Sequence, residues 1–197
     1  MGGGILKKIR IAIGGCEESK WTNSQKVDAK EEIKAILWEW ERRISQTESI
    51  SYGEALAVIV LVSGHCPKGG VDIWAEEIAD EIGIKKEIYP AEVNQWNDKI
   101  EHKKTNNIWV SYKLKGFRSR NIQIAEACDV LCCIVPWVNI EALDNIHEDE
   151  PPPFPITLSK NQYCIHCKQI GHPTNGGCWT MKYAKKLGKE THLVVIE

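Results

Sequence analysis

Between Ala57 and Ile84 the spacing of apolar positions changes twice. Val58-Ile59-Val60-Leu61-Val62 is an unbroken, β-branched run, the pattern of a strand buried on both faces. A polar, glycine-rich turn follows, Ser63-Gly64-His65-Cys66-Pro67-Lys68-Gly69-Gly70. Val71, Trp74, Ala75, Ile78, Ala79 and Ile82 then recur at i, i+3, i+4, i+7, i+8 and i+11, one apolar helix face. Gly83 closes that helix, and the segment from Lys85 to Tyr89 reads as a short strand. This strand, turn, helix, strand unit either holds a ligand on its glycines and helix N-terminus or is a tight turn whose glycines serve packing.

The same patterning extends along the chain. Ile9 to Ile13 predicts a first strand that ends in Gly14-Gly15-Cys16. Asp28 and Glu31 have capping-box spacing, and Ile33, Ile36, Leu37, Trp40 and Ile44 mark the inner face of a long helix. Ser45 to Gly53 reads as a polar linker, and Asn94 to Glu101 as a helix with Trp96 and Ile100 inward. Asn121 to Cys128 predicts a short helix and Val130 to Val135 a second doubly buried strand, closed by Pro136. Cys132 and Cys133 alternate across that strand as small core residues. Trp179, Tyr183, Ala184 and Leu187 give a last helix ending at Gly188, and His192 to Ile196 a last strand. Together these elements predict an α/β fold, a Rossmann-like, mostly parallel sheet flanked by helices. The chain is expected to form one domain over residues 1–197, with a Cys/His-rich insertion at 138–175 introduced by acidic and proline-rich sequence.

Length and composition narrow the classes. A chain of 197 residues with 43% hydrophobic and 26% charged residues suits one globular domain with a real core. The net charge of −2 makes any nucleic-acid contact a matter of a local patch. One such patch is present: six Lys or Arg residues and no acid between His102 and Arg120, interleaved with Trp109, Tyr112 and Phe117. That segment is either a solvated face or a surface for single-stranded nucleic acid. No apolar run reaches membrane-spanning length and the start lacks a signal-peptide core, so the expected setting is the cytoplasm, with no membrane partner. In a reducing cytoplasm the eight cysteines point to metal or reactive thiols rather than to disulfides.

The sharpest chemical signal is Cys164-x2-Cys167-x4-His172-x5-Cys178. Three thiols and an imidazole at this spacing are a ligand set for structural Zn2+, with no open position for catalysis. His166 is an alternative ligand in a different register, and the rival reading is four unrelated residues in a loop. A zinc knuckle has four residues between its histidine and last cysteine where this chain has five. Cys178 follows Gly176-Gly177 directly, which would tie a metal to the start of the last helix; alone, it would be a thiolate at a helix N-terminus.

Four short motifs, in order, resemble those of the SLOG superfamily, which contains DNA-processing protein A and the LONELY GUY phosphoribohydrolases. Ser63-Gly64 with Gly69-Gly70-Val71-Asp72 resembles the S-G-G-A-x-G-x-D turn. Ile88-Tyr89-Pro90-Ala91 is similar to a strand-end F-P-A, Arg120-Asn121 to an R-N pair, and Gly176-Gly177-x-x-Thr180 to the final glycine loop. The resemblance implies a nucleotide or nucleotide-derived ligand along the carboxyl edge of the sheet. The site residues it points to are Ser63, Gly64, Gly69, Gly70, Asp72, Arg120, Asn121, Gly176, Gly177 and Thr180. Gly14 and Gly15, a further glycine turn after a strand, join them because backbone amides there would cradle phosphate. In that setting Arg120 would clamp phosphate, and Asp72 would accept ribose hydroxyls or simply stabilise its helix N-terminus. The chain departs from the LONELY GUY motif P-G-G-x-G-T-x-x-E: Asn175, Trp179 and Tyr183 replace the proline, the third glycine and the catalytic glutamate. A sensor, or a hydrolase of some other nucleotide derivative, is therefore expected rather than that phosphoribohydrolase. A single-stranded nucleic-acid binder using the 102–120 segment and the zinc-knuckle-like insertion is the alternative, and a homo-oligomer is allowed.

Overall fold

The computed structural model describes residues 6–137, 164–168, 171–172 and 176–197. Five parallel strands form the main sheet: β1 (Ile9–Gly15), β2 (Ile59–Ser63), β3 (Lys85–Ile88), β6 (Val130–Pro136) and β7 (Glu190–Ile196), in the order β3-β2-β1-β6-β7. The expected α/β sheet flanked by helices is thus observed. β2 and β6 are buried along their whole length, as their continuous apolar runs require.

Helix α1 (Asn23–Glu48) packs against α3 (Val71–Ile82), and α4 (Phe117–Ala127) against α5 (Gly176–Lys186). Right-handed crossovers place the first pair on one face of the sheet and the second on the other. The strand order reverses at β1, with β2 on one side and β6 on the other. In α/β sheets the crevice at such a reversal, beyond the carboxyl ends of the strands, is where ligands bind. Gly14 and Gly15 lie there, opposite Cys133 and Ile134 of β6.

Several boundaries differ from expectation. α1 begins six residues before Asp28-Glu31 would start it, because Thr22 and Gln25 form the capping box: each backbone N–H donates to the other's side chain at 3.2 Å. The Gln25 amide also donates to the carbonyls of Trp137 and Ile196, tying the helix start to the ends of β6 and β7. The expected linker at Ser45–Gly53 is mostly helical. α1 runs to Glu48, Ser49 turns the chain at φ 54°, and Ser51 with Glu54 caps α2 (Tyr52–Val58).

The expected helix at Asn94–Glu101 is absent. Residues 91–98 are irregular, and Lys99–Thr105 is strand β4, paired antiparallel with β5 (Ile108–Leu114) in a separate two-stranded ribbon. Asn106 and Asn107 make its tight turn with φ of 49° and 63°, the left-handed pair that a two-residue hairpin loop needs. Ile100 is exposed on this ribbon, not inward. α4 also starts earlier than expected, at Phe117, which puts Arg120 and Asn121 in its first two turns. Most of the expected 138–175 insertion lies outside the described residues. Among the described residues no helix is long and apolar enough to cross a membrane.

Close packing at the crevice rests on Gly15, where a Cβ would collide with the carbonyl of Ile134 and press on Val71. Gly53, in α2, has open space in that direction. Gly15→Ala should destabilise the chain by about 1–3 kcal/mol in urea denaturation, the usual cost of overpacking. Gly53→Ala should instead stabilise it by about 0.5–1 kcal/mol. Equal effects from the two substitutions would contradict this packing.

Candidate functional site

A cavity of about 310 Å3 opens beyond the carboxyl ends of β1 and β2. Gly14, Gly15, Gly64, Asp72, Arg120, Asn121, Gly176, Gly177 and Thr180 line it, so three turns far apart in sequence meet at one crevice. Ser63, Gly69 and Gly70 are not on its wall. Ser63 is buried beneath the turn; its hydroxyl donates to Glu76 at 2.6 Å and accepts the His65 N–H at 3.2 Å. Glu76 also meets His65 Nδ1 at 2.8 Å, which fixes the turn on α3. Gly70, at φ 91°, lets the loop after β1 cross α3, and the Val71 N–H donates to the Cys16 carbonyl there.

Arg120 is the centre of the wall. One terminal nitrogen, Nη1, donates to the Gly64 carbonyl at 2.6 Å and to Asp72 Oδ2 at 3.2 Å. A Cβ on Gly64 would strike this guanidinium, so glycine is required for the approach. Both charged side chains are buried. Burial pushes the Asp72 carboxyl above the usual range, opposed by the Arg120 charge and by the Gly15 N–H. The buried Arg120 Nε has no acceptor among the described residues. Unpaired buried donors are rare and call for an acceptor.

The remaining charges on the wall are Glu17, Lys20 and Lys68. Glu17 pairs with Lys68 at 2.9 Å and with Lys20 at 3.9 Å. Partial burial would raise the Glu17 carboxyl, but the Lys68 hydrogen bond and charge prevail and hold it below the usual range. Cationic side chains outnumber carboxylates on this wall, which favours an anionic ligand. Asn121 and Thr180 both donate to the Gly176 carbonyl, at 3.3 and 2.7 Å, locking the start of α5 to α4.

Behind this helix start lies the cysteine–histidine set. The ligand atoms of Cys164, Cys167, His172 and Cys178 all lie within 4.8 Å of one another. Cys167 Sγ is 3.0 Å from His172 Nε2. The Cys164–Cys167 turn is closed by the Lys168 N–H on the Cys164 carbonyl, with Lys168 at φ 68°. Gly171, at φ 87°, passes against the Trp137 ring where a side chain would clash. Cys178, in the first turn of α5, brings the set onto the sheet: its Sγ lies 3.8 Å from Cys133 of β6. Cys133, expected as core only, is thus core and a neighbour of the cluster. That contact, and then burial, hold the Cys178 thiol far above its ordinary range; a bound cation reverses this by stabilising the thiolate. Three sulfurs and one imidazole in this arrangement can bind a soft or borderline metal ion.

Sequence reasoning did not find Trp96 and Phe117 on the cavity wall. They sit where the apolar rhythm was weakest, and a contact between distant segments places them. Comparison of the chain with protein-family models, with curated proteins and with solved structures finds no significant match.

Elemental analysis of the purified chain should find a single metal equivalent, lost in Cys164→Ser and in His172→Ala. Because bound thiols and imidazole must be deprotonated, metal affinity should fall as pH falls. Full metal content in both variants would rule the cluster out as the centre.

Proposed function

We propose that the chain binds a nucleotide or nucleotide-derived ligand at the carboxyl edge of its sheet, and that structural Zn2+ anchors one wall of the pocket. The carrying observation is Arg120, a buried guanidinium on the cavity wall whose Nε has no acceptor among the described residues. Glycine backbone at Gly14-Gly15 and Gly176-Gly177 adds anion-compatible surface beside a helix start. The SLOG resemblance points to Arg120 and Gly176-Gly177 as well, and to the same class of ligand. Zinc is the metal we favour for the cluster. Its bonds of about 2.0–2.3 Å set tetrahedral ligands about 3.3–3.8 Å apart. Pairs near the 4.8 Å limit of the set would close in, while Cys167 and His172, 3.0 Å apart, would open slightly.

Binding is better supported than turnover. Both carboxylates on the wall are engaged by cations, Asp72 by Arg120 and Glu17 by Lys68 and Lys20. Tyr183, at the position of the phosphoribohydrolase glutamate, stacks on Trp179. We therefore read the chain as a sensor, with hydrolysis of a nucleotide derivative as the enzymatic variant of the same site.

A second reading draws on the ribbon. Trp109 and Tyr112 are exposed on it, opposite Lys104 and Glu101 respectively, with Lys103 Nζ 5.9 Å from the Tyr112 ring. Basic and aromatic groups so mixed suit single-stranded nucleic acid, whose binding would weaken steeply with salt.

Titration calorimetry with AMP on the metal-loaded chain tests the first reading. Arg120→Lys, with its fold checked by circular dichroism, should weaken AMP about ten- to a hundredfold, the range for a charge-assisted contact. Unchanged affinity would remove Arg120 from the site. An oligonucleotide bound in a salt-dependent way by a chain that ignores AMP would instead favour the ribbon.

A further inference from the structure

The proposed ligand class can be sharpened from the aromatic part of the cavity wall, an inference that rests on the nucleotide reading above. Trp96 and Phe117 both line the cavity. Trp96 belongs to the irregular segment before β4, yet that segment is pinned to the start of α4 at several points. The Arg118 N–H donates to the Trp96 carbonyl and the Phe117 N–H to the Gln95 carbonyl, both at 2.8 Å. Asp98 accepts from the Gly116 N–H at 2.9 Å and from Ser119 Oγ at 2.8 Å, and pairs with Lys113 at 2.9 Å. It thereby caps a helix whose own N-cap, Gly116, has no side chain to do so.

The indole is held as firmly as its backbone. Trp179, in the first turn of α5, meets the Trp96 ring at 5.3 Å with the planes at 88°, and Tyr183 stacks on Trp179 at 5.5 Å. Trp96 nevertheless keeps 40% of its surface exposed. A large, braced, partly open indole on a cavity wall is an expensive feature unless something flat covers it. Phe117 is already faced by the Arg120 guanidinium at 5.4 Å, which leaves Trp96 as the wall with area to offer. The cavity volume, about 310 Å3, lies at the small end of the range for small-molecule sites, about 300–1,000 Å3. That is room for one base and its sugar phosphate, not for a dinucleotide.

We infer that the pocket is a mononucleotide site in which a purine or pyrimidine ring stacks on Trp96 while the phosphate is taken near Arg120. The base then supplies a substantial part of the affinity, and a sugar phosphate without a base is a poor ligand.

Calorimetry of the metal-loaded chain with AMP, UMP, ribose 5-phosphate and pyrophosphate separates the possibilities. AMP and UMP should bind more tightly than ribose 5-phosphate. Trp96→Ala should weaken AMP about five- to a hundredfold, the range for losing one base–aromatic stack, with ribose 5-phosphate changed less than twofold. Trp96→Phe should restore most of the AMP affinity. Equal loss for AMP and ribose 5-phosphate in Trp96→Ala would show a structural role and overturn the inference. Ribose 5-phosphate or pyrophosphate binding as tightly as AMP would overturn it too, while leaving a phosphate-directed pocket standing. If none of the four probes binds, the inference falls together with the nucleotide reading.

Discussion

The ion pair between Arg120 and Asp72 joins the two halves of this fold. Asp72 belongs to α3, on one face of the sheet, and Arg120 to α4, on the other; they meet over the end of β1 with the Gly64 carbonyl between them. A buried pair of this kind is an uncertain net stabiliser, since desolvation offsets its attraction. Removing one partner is a different matter, costing about 3–5 kcal/mol because a charge is left buried alone. The pair therefore fixes geometry more than it adds stability. It fixes on the cavity wall a guanidinium whose Nε has no acceptor among the described residues. Around it, Gly15 and Gly64 are small because Ile134 and Arg120 come too close for any side chain.

What was legible in the sequence follows from whether the cause is local. The β2–turn–α3 unit could be read because one apolar run and one apolar helix face, buried in a single core, each leave a periodic trace. The cysteine–histidine spacing was equally plain, because two ligands in one turn and a third nearby must be close in space. Arg120 could be placed at the site only by resemblance; its partner Asp72 and its contact with Gly64 are 48 and 56 residues away.

Where the reading failed, the deciding contact was distant or the burial signal absent. Two capping boxes competed for the start of α1, and the Gln25 amide's grip on Trp137 and Ile196 lies more than a hundred residues from Thr22. The ribbon of β4 and β5 misled because neither face is buried, so no alternation of period two was written into it. Ile100 then looked like part of a helix face. Trp96 was assigned inward on that same false helix. Its true place depends on Asp98 capping α4 across 18 residues, a bond that no propensity reports.

The first turn of α5 carries more of the site than any other segment. Successive helix residues turn by about 100°, so five in a row face all round the axis. Gly176 and Gly177 line the cavity, Cys178 reaches back to β6 and the other cluster residues, Trp179 braces Trp96, and Thr180 returns its hydroxyl to the Gly176 carbonyl. Each is one rotation from the next, so none can be displaced without moving the others. Short helices in water are marginal, and their ends fray first. A metal ion held by Cys178 would suppress that fraying at the residue between the glycine backbone and the aromatic brace. On this view the cluster needs no open coordination position to matter for the pocket. Its contribution is to make one helical turn rigid, and with it the glycine floor and the Trp96 wall that turn supports.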